Sequence, residues 1–211
     1  RNTEEIAAAQ STYEALVANN RQERSDILKR LRSISEEIAE RQAYEKNSYY
    51  MSIDPYNVAV AEQIYYVKTD YQILPDMIYQ NPDYTDAIVN AYMYVLTGES
   101  NLQPVAEKCD MELRYLEELV TVWSNGSGMF TVHVIARDIE EAEKILALLD
   151  GGVATSRELI ESTINAHEIT KLTYNAYTTV DMNLSQTQSD KEDALTKLRT
   201  EYADQTARYE T

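Results

Sequence analysis

Few side chains in these 211 residues have the chemistry of a reactive centre: two histidines, one cysteine, and many carboxylates and phenols. His133 and His167 both fall in stretches that alternate apolar and polar residues, as strands do. Neither has companion ligands at the spacing of a metal motif, so no metal-binding residue is expected. No serine lies on a Gly-x-Ser-x-Gly elbow, and structural strand histidines account for the pair without a Ser-His-Asp relay. Asn125-Gly126-Ser127-Gly128 lacks the lysine and the spacing of a phosphate-cradling loop; a hairpin turn explains it. Cys109 stands at a short helix end among acidic neighbours, with no local cause for an activated thiolate. The pairs Glu36-Glu37, Glu117-Glu118 and Glu140-Glu141 are residue types used in general acid–base catalysis, but each falls on a predicted helix surface, where a solvated face is expected. Tyr49, Tyr50, Tyr56, Tyr65, Tyr66 and Tyr71 form an aromatic cluster; such rings stack on sugars, and they also fill cores and subunit interfaces. Asn125-Gly126-Ser127 and Asn183-Leu184-Ser185 match the N-glycosylation pattern, one in a turn and one at a helix start. The expectation is therefore a non-enzyme, with no catalytic, cofactor-binding or metal residues and no cofactor.

Charge and composition narrow the partners. With 36 acidic against 19 basic residues the formal net charge is −17, which repels a polyanion and excludes nucleic acid as a partner. The same balance argues against docking on an anionic membrane surface, which needs basic clusters. No apolar run approaches the ~18–20 residues that span a bilayer. A single cysteine rules out an internal disulfide. Seventeen Tyr against one Trp and one Phe suggest a thin layered domain or extensive interfaces, because Tyr suits sites where the ring is buried and the hydroxyl reaches a partner.

The two ends must be helical. Leu184, Gln188, Lys191, Leu195, Leu198, Tyr202, Gln205 and Tyr209 recur in alternating steps of four and three, a heptad seam behind an Asp181 N-cap. Ile6, Ala9, Tyr13 and Leu16, then Ile27, Leu31, Ile34 and Ile38, repeat the pattern at the other end. Between those blocks, Ala18–Gln22 allows either an αα-hairpin or one helix of about 45 residues; the absence of Gly and Pro favours the continuous helix. The middle alternates. A strand at Val58–Lys68 precedes a helix from an Asp83 cap to Thr97, a short helix from a Ser100/Gln103 capping box to Cys109, and another helix opened by Asp110. Strands Leu119–Trp123 and Met129–Ala136 flank Ser124–Gly128, a helix capped by Asp138 is interrupted at Gly151-Gly152 and restarts at Thr155, and His167–Val180 closes as a strand. That order, β-α-β-β-α-β, predicts an α+β fold with a ferredoxin-like base and long coiled-coil helices at both ends. The domains expected are a helix over 1–46, a base over 47–180 and a helix over 181–211. The first strand should begin where the last one ends, so that the two long helices run side by side as an antiparallel pair.

Within the middle, Tyr92-Met93-Tyr94-Val95-Leu96-Thr97-Gly98 leads to Leu102-Gln103-Pro104-Val105, then to Tyr115–Val122, the hairpin Gly126–Asp138 and the helix Ile139–Leu146 with Ala142 at its centre. This stretch, with His167–Asp181 running into a coiled-coil helix, resembles the ectodomain of bacterial polysaccharide chain-length determinants (polysaccharide co-polymerases), including the capsular kinase-adaptor branch. The family has a membrane helix on each side of its ectodomain and a Pro-rich segment before the second; neither is in this sequence, so membrane helices are expected beyond Arg1 and Thr211. The resemblance implies a non-catalytic, extracytoplasmic scaffold on the bacterial cytoplasmic membrane that regulates the length of a surface polysaccharide such as capsule or O-antigen. It implies homo-oligomers formed through base and helices, a polysaccharide polymerase as partner, a cytoplasmic tyrosine kinase in the capsular branch, and polysaccharide contact. The competing readings are a coiled-coil stalk adaptor of a secretion or membrane-fusion system, and a hydrolase hidden in the base.

Overall fold

The computed structural model describes residues 2–72 and 82–210. In chain order its elements are α1 (Asn2–Asn47), α2 (Tyr49–Ser52), β1 (Val58–Lys68), α3 (Thr85–Thr97), α4 (Glu99–Lys108), α5 (Leu113–Leu119), β2 (Val120–Gly126), β3 (Met129–Ala136), α6 (Ile139–Thr163), β4 (Glu168–Thr179) and α7 (Met182–Glu210). The protein is α+β: long N- and C-terminal helices, packed together, bracket a four-stranded antiparallel sheet and its intervening helices. Two compact units result, Arg1–Asn47 with Gln186–Thr211, and Ser48–Ser185.

In the helical unit, α1 runs unbroken through Ala18–Gln22, because nothing there removes a backbone donor or forces a positive φ. Ile27 and Ile34 of α1 and Leu195 of α7 are buried along the seam. Three cross-links fix the direction: the Lys191 ammonium donates to the Tyr44 hydroxyl at 2.7 Å, Arg30 binds Glu201 at 2.6 Å, and Arg24 lies 4.3 Å over the Tyr209 ring. As α1 numbers fall the α7 numbers rise, so the helices are antiparallel. The ion pairs are half-exposed, each worth under about 1 kcal/mol, so the buried aliphatic residues supply most of the attraction. Ile6, Tyr13 and Leu16 are 65%, 68% and 63% exposed, and the cross-links to α7 reach as far as Glu23 and Arg24.

In the other unit the strand order is β2-β3-β1-β4, with every neighbouring pair antiparallel. β3 pairs with β1, and Val58 at the start of β1 faces Thr179 at the end of β4, as expected. The β2–β3 hairpin turns through Ser127 and Gly128, both with positive φ, as a type I′ turn requires. Gly128 is confined: a Cβ there would meet Thr85 Cγ2 at 2.9 Å and the Val67 carbonyl at 3.0 Å. Alternate β3 residues Phe130, Val132, Val134 and Ala136 point into the core with Tyr65 and Val67 of β1, against Tyr92 and Leu96 of α3 and Ile145 and Leu149 of α6. The lone Phe is its centre. Phe130 stacks between Tyr65 (5.0 Å between ring centroids) and Tyr92 (5.3 Å), so Tyr65 belongs to the core and not to a surface cluster; Tyr56 is exposed.

Several boundaries move. Asp83 accepts from the Thr85 amide, but the helix begins at Thr85 behind Tyr84. Ser100 and Gln103 form no capping box: α4 starts at Glu99 after Gly98, and Gln103 bonds Glu107 one turn on. Asp110 has a φ of 54° and lies in the turn before α5, whose N-cap is Glu112. β2 starts at Val120, since Leu119 ends α5. α6 is one helix of 25 residues through Gly151-Gly152, with Thr155 back-bonded to the Gly151 and Gly152 carbonyls where a restart was expected. Packing overrides the weak propensity of the glycine pair: a Cβ on Gly152 would sit 3.0 Å from Asn101 Oδ1 of α4, so the missing side chain is what lets the two helices approach. Asp138 caps α6 through the Glu141 amide (2.8 Å), and Asp181 caps α7 through the Asn183 and Leu184 amides (2.9 and 3.0 Å), both as expected.

Candidate functional site

β4 is an edge strand, and along it α6 leaves a groove made of two adjoining cavities of about 300 and 350 Å³ that share Tyr65, Asp150 and Lys171. Its polar groups come from three elements. Tyr65 arrives from β1, where it pairs with the inward-facing Phe130 of β3, and the β1–β4 register shifts between Gln63 and Tyr65. Asp150 and Glu143 project from α6 two turns apart, and Lys171 and Tyr174 from β4. The Tyr65 hydroxyl donates to Asp150 Oδ1 at 2.7 Å, Lys171 donates to Asp150 Oδ2, and the Tyr174 hydroxyl donates to Glu143. Burial and the Asp150 carboxylate push the Tyr65 phenol far above its ordinary value, and the bond to Glu143 raises that of Tyr174. Both phenols therefore stay protonated donors near neutrality, with the two carboxylates as their acceptors. Paired phenols and carboxylates of this kind can hydrogen-bond hydroxyl-bearing groups. Tyr174 keeps half its surface open to a ligand.

The histidines occupy different surroundings. His167 is buried after α6, its Nδ1 3.0 Å from the Asn165 carbonyl and its Nε2 2.7 Å from the Tyr92 hydroxyl. A carbonyl only accepts, so Nδ1 carries the proton and Nε2 accepts from Tyr92 in the neutral ring. The ring also meets Tyr92 edge-on at 5.5 Å, and burial raises the Tyr92 phenol. His133 sits on the opposite face of β3 from Phe130, its ring 5.3 Å from that of Trp123. Register places Thr121, His133, Glu62 and Asn175 in one rung across all four strands. Glu62 accepts from Asn175 at 2.9 Å, whereas no side-chain hydrogen bond joins His133 to Thr121 or Glu62. The residue types of a relay are adjacent without the bonds of one. Burial depresses the His133 pKa, against the opposing pull of Glu62 and Asp181.

Among the described residues, no group of three or more His, Cys, Asp or Glu is placed to hold a metal ion, and no helix is long and apolar enough to cross a membrane. Burial raises the Cys109 thiol, with Lys144 and Glu141 as lesser, opposed influences. Glu141 binds Arg137 at 2.6 Å, while Glu118 shares a contact with Ser48 at 3.3 Å. The Asp150 groove was not legible in the sequence, since its members are separated by up to 109 positions and only folding brings them together. No family model matches this chain, and no curated protein matches it.

Proposed function

We propose that this chain is a non-catalytic, extracytoplasmic scaffold domain of the polysaccharide chain-length determinant type, anchored by membrane helices outside these residues. The observation that carries the reading is the sheet order β2-β3-β1-β4, built from the stretch whose residues resemble that family. It is the order of a ferredoxin-like base, with a terminal strand at β4 feeding a long capped helix that pairs with α1 as a coiled coil. Proteins of that kind work as oligomers beside a polymerase, with a cytoplasmic tyrosine kinase in the capsular branch. Under this reading the Tyr174 groove is where a glycan touches the base, its open ring offering a stacking face and Lys171 and Glu143 offering hydroxyl partners. The test has two parts. Protease-accessible tags within residues 48–185 should be cleaved from outside the cell, and deletion of the gene should shift the surface-polysaccharide ladder. An unchanged ladder overturns the reading, and loss of export with normal glycan length identifies a stalk adaptor instead.

A further inference from the structure

The cavity of about 300 Å³ between α6 and β4 contains an acceptor that the protein leaves unused. Gln63 is only 8% exposed, and its Nε2 donates to the Ile64 carbonyl at 2.9 Å and the Thr173 carbonyl at 3.0 Å. Two carbonyl partners fix which end of the amide is nitrogen, so Oε1 is the free end. Among the described residues nothing donates to Oε1, and no sealed side-chain nitrogen or oxygen lacks a partner. Oε1 therefore opens on the cavity that Gln63 lines.

Charge is arranged in the same place. Glu143, Ala147 and Asp150 follow one face of α6, and the small Ala147 leaves the space between the two carboxylates open. Asp150 is taken up by Tyr65 and Lys171, whereas Glu143 accepts from the Tyr174 hydroxyl alone among the described residues. Two carboxylates against the single ammonium of Lys171 leave the cavity with a net negative charge. The Tyr174 ring spans the wall between Gln63, its cross-strand partner, and Glu143 at its hydroxyl. A group that donates hydrogen bonds, carries positive charge and suits an aromatic face is an ammonium. Lys171 decides what bears it. One of its N–H groups binds Asp150, and the others need acceptors, which sugar hydroxyl and ring oxygens provide and a polyamine lacks. The adjoining cavity adds Arg157 and no further carboxylate, which directs the ammonium to the Glu143 end.

We infer that the groove binds an amino sugar with a free primary amine, its ammonium held by Glu143 and Gln63 Oε1 and its ring lying on Tyr174. The inference rests on the glycan contact in the reading above and narrows it to one class of sugar. All the groups involved lie within the compact unit Ser48–Ser185. The net charge of −17 adds long-range attraction for such a ligand and repels an acidic glycan.

An NMR titration of the isotope-labelled whole chain, at mildly acidic pH where the amines are charged, tests the site. The reporters are the Gln63 side-chain amide and the backbone amides of residues 171–176. The probes are the trisaccharide of glucosamine, its fully N-acetylated counterpart, and spermidine. The glucosamine trimer should shift the reporters saturably and bind about tenfold more tightly than the acetylated trimer, which keeps the hydroxyls and loses the charge. In Glu143→Gln, an exposed position, that preference should fall below about twofold while the rest of the spectrum is unchanged. Equal affinity for the two trimers overturns the ammonium, and spermidine binding as tightly as the glucosamine trimer overturns the sugar. No shift at Gln63 with any probe overturns the site. Each of these results leaves chain-length regulation to its ladder test, and an unchanged ladder beside intact glucosamine binding strikes the scaffold reading alone.

Discussion

Gly151 and Gly152 are neighbours on one helix, yet replacing each with alanine should have opposite consequences. Both lie well inside α6, and in a helix interior alanine is favoured over glycine by about 0.5–1 kcal/mol. At Gly151 a Cβ meets nothing within 4 Å, so Gly151→Ala should gain that amount in full. At Gly152 the new carbon would lie 3.0 Å from Asn101 Oδ1 and 3.7 Å from Leu96 Cδ2. Neither neighbour yields easily. The Asn101 amide is tied to the Val95 carbonyl at 2.6 Å and faces Ser156 Oγ at 3.4 Å, and Leu96 is fully buried. Overfilling a packed site costs about 1–3 kcal/mol, which exceeds the propensity gain. Gly152→Ala should therefore be neutral to about 2 kcal/mol destabilising, leaving the two variants separated by about 1–3 kcal/mol. Urea unfolding followed by Trp123 fluorescence measures this, because the only Trp lies in the same compact unit. Removing the obstructing amide with Asn101→Ala should shrink the penalty of Gly152→Ala, so the double-mutant cycle should show coupling at position 152 and none at 151. Equal gains at the two glycines would refute the close approach of α4 and α6.

Four further outcomes are expected. Tyr92→Phe leaves His167 Nε2 buried without its donor and should cost about 1–3 kcal/mol, with the His167 ring resonances shifting in NMR spectra. Phe130→Ala removes two ring contacts and a fully buried side chain, and should destabilise by about 3–5 kcal/mol in the same urea assay; a loss below about 2 would mean the stack carries little. Asp181→Ala removes the acceptor for two first-turn amides of α7 and should cost about 1 kcal/mol, which Asp181→Asn should largely restore. The folded His133 pKa is depressed, so the unfolded chain binds this proton more readily: its contribution to stability is full above the unfolded value near 6.5 and is lost as pH falls from there through the folded value. His133→Gln should flatten that part of the stability–pH curve, and an NMR titration should place the His133 midpoint below that of a free imidazole.

How much of this was readable in the sequence depends on the range over which each signal acts. β1, β3 and the α7 cap could be located because they rest on local rules: runs rich in strand-forming residues over Val58–Lys68 and Met129–Ala136, and a carboxylate one residue before the helix. The antiparallel pairing of the first and last strands followed from the order of the elements. Gly151-Gly152 misled for the opposite reason. Locally it reads as a stop, and what keeps the helix going is a contact with Asn101, 51 positions away in sequence. The Asp150 groove had no local signature: a lone Asp near the middle of a helix, a Tyr in a strand and a Lys in another strand are each ordinary.

The groove and the core are one mechanical system. Tyr65 and Tyr92 flank Phe130 in a single stack, and their hydroxyls leave it toward opposite halves of the α6 region, one to Asp150 within the helix and one to His167 just beyond it. Arg157, between those two points on α6, donates to the His167 carbonyl at 2.9 Å and so closes the loop between the helix and β4. The apolar stack fixes where the phenols can reach, the phenols fix α6 along its length, and Asp150, held by Tyr65, fixes Lys171 on the edge strand. Aromatic burial supplies most of the energy, and the hydrogen bonds supply the register, because a buried phenol without its acceptor is costly wherever the helix slides. This is why tyrosine, and not phenylalanine, dominates the aromatic composition at these positions: the ring serves the core while the hydroxyl aims the groups that line the groove.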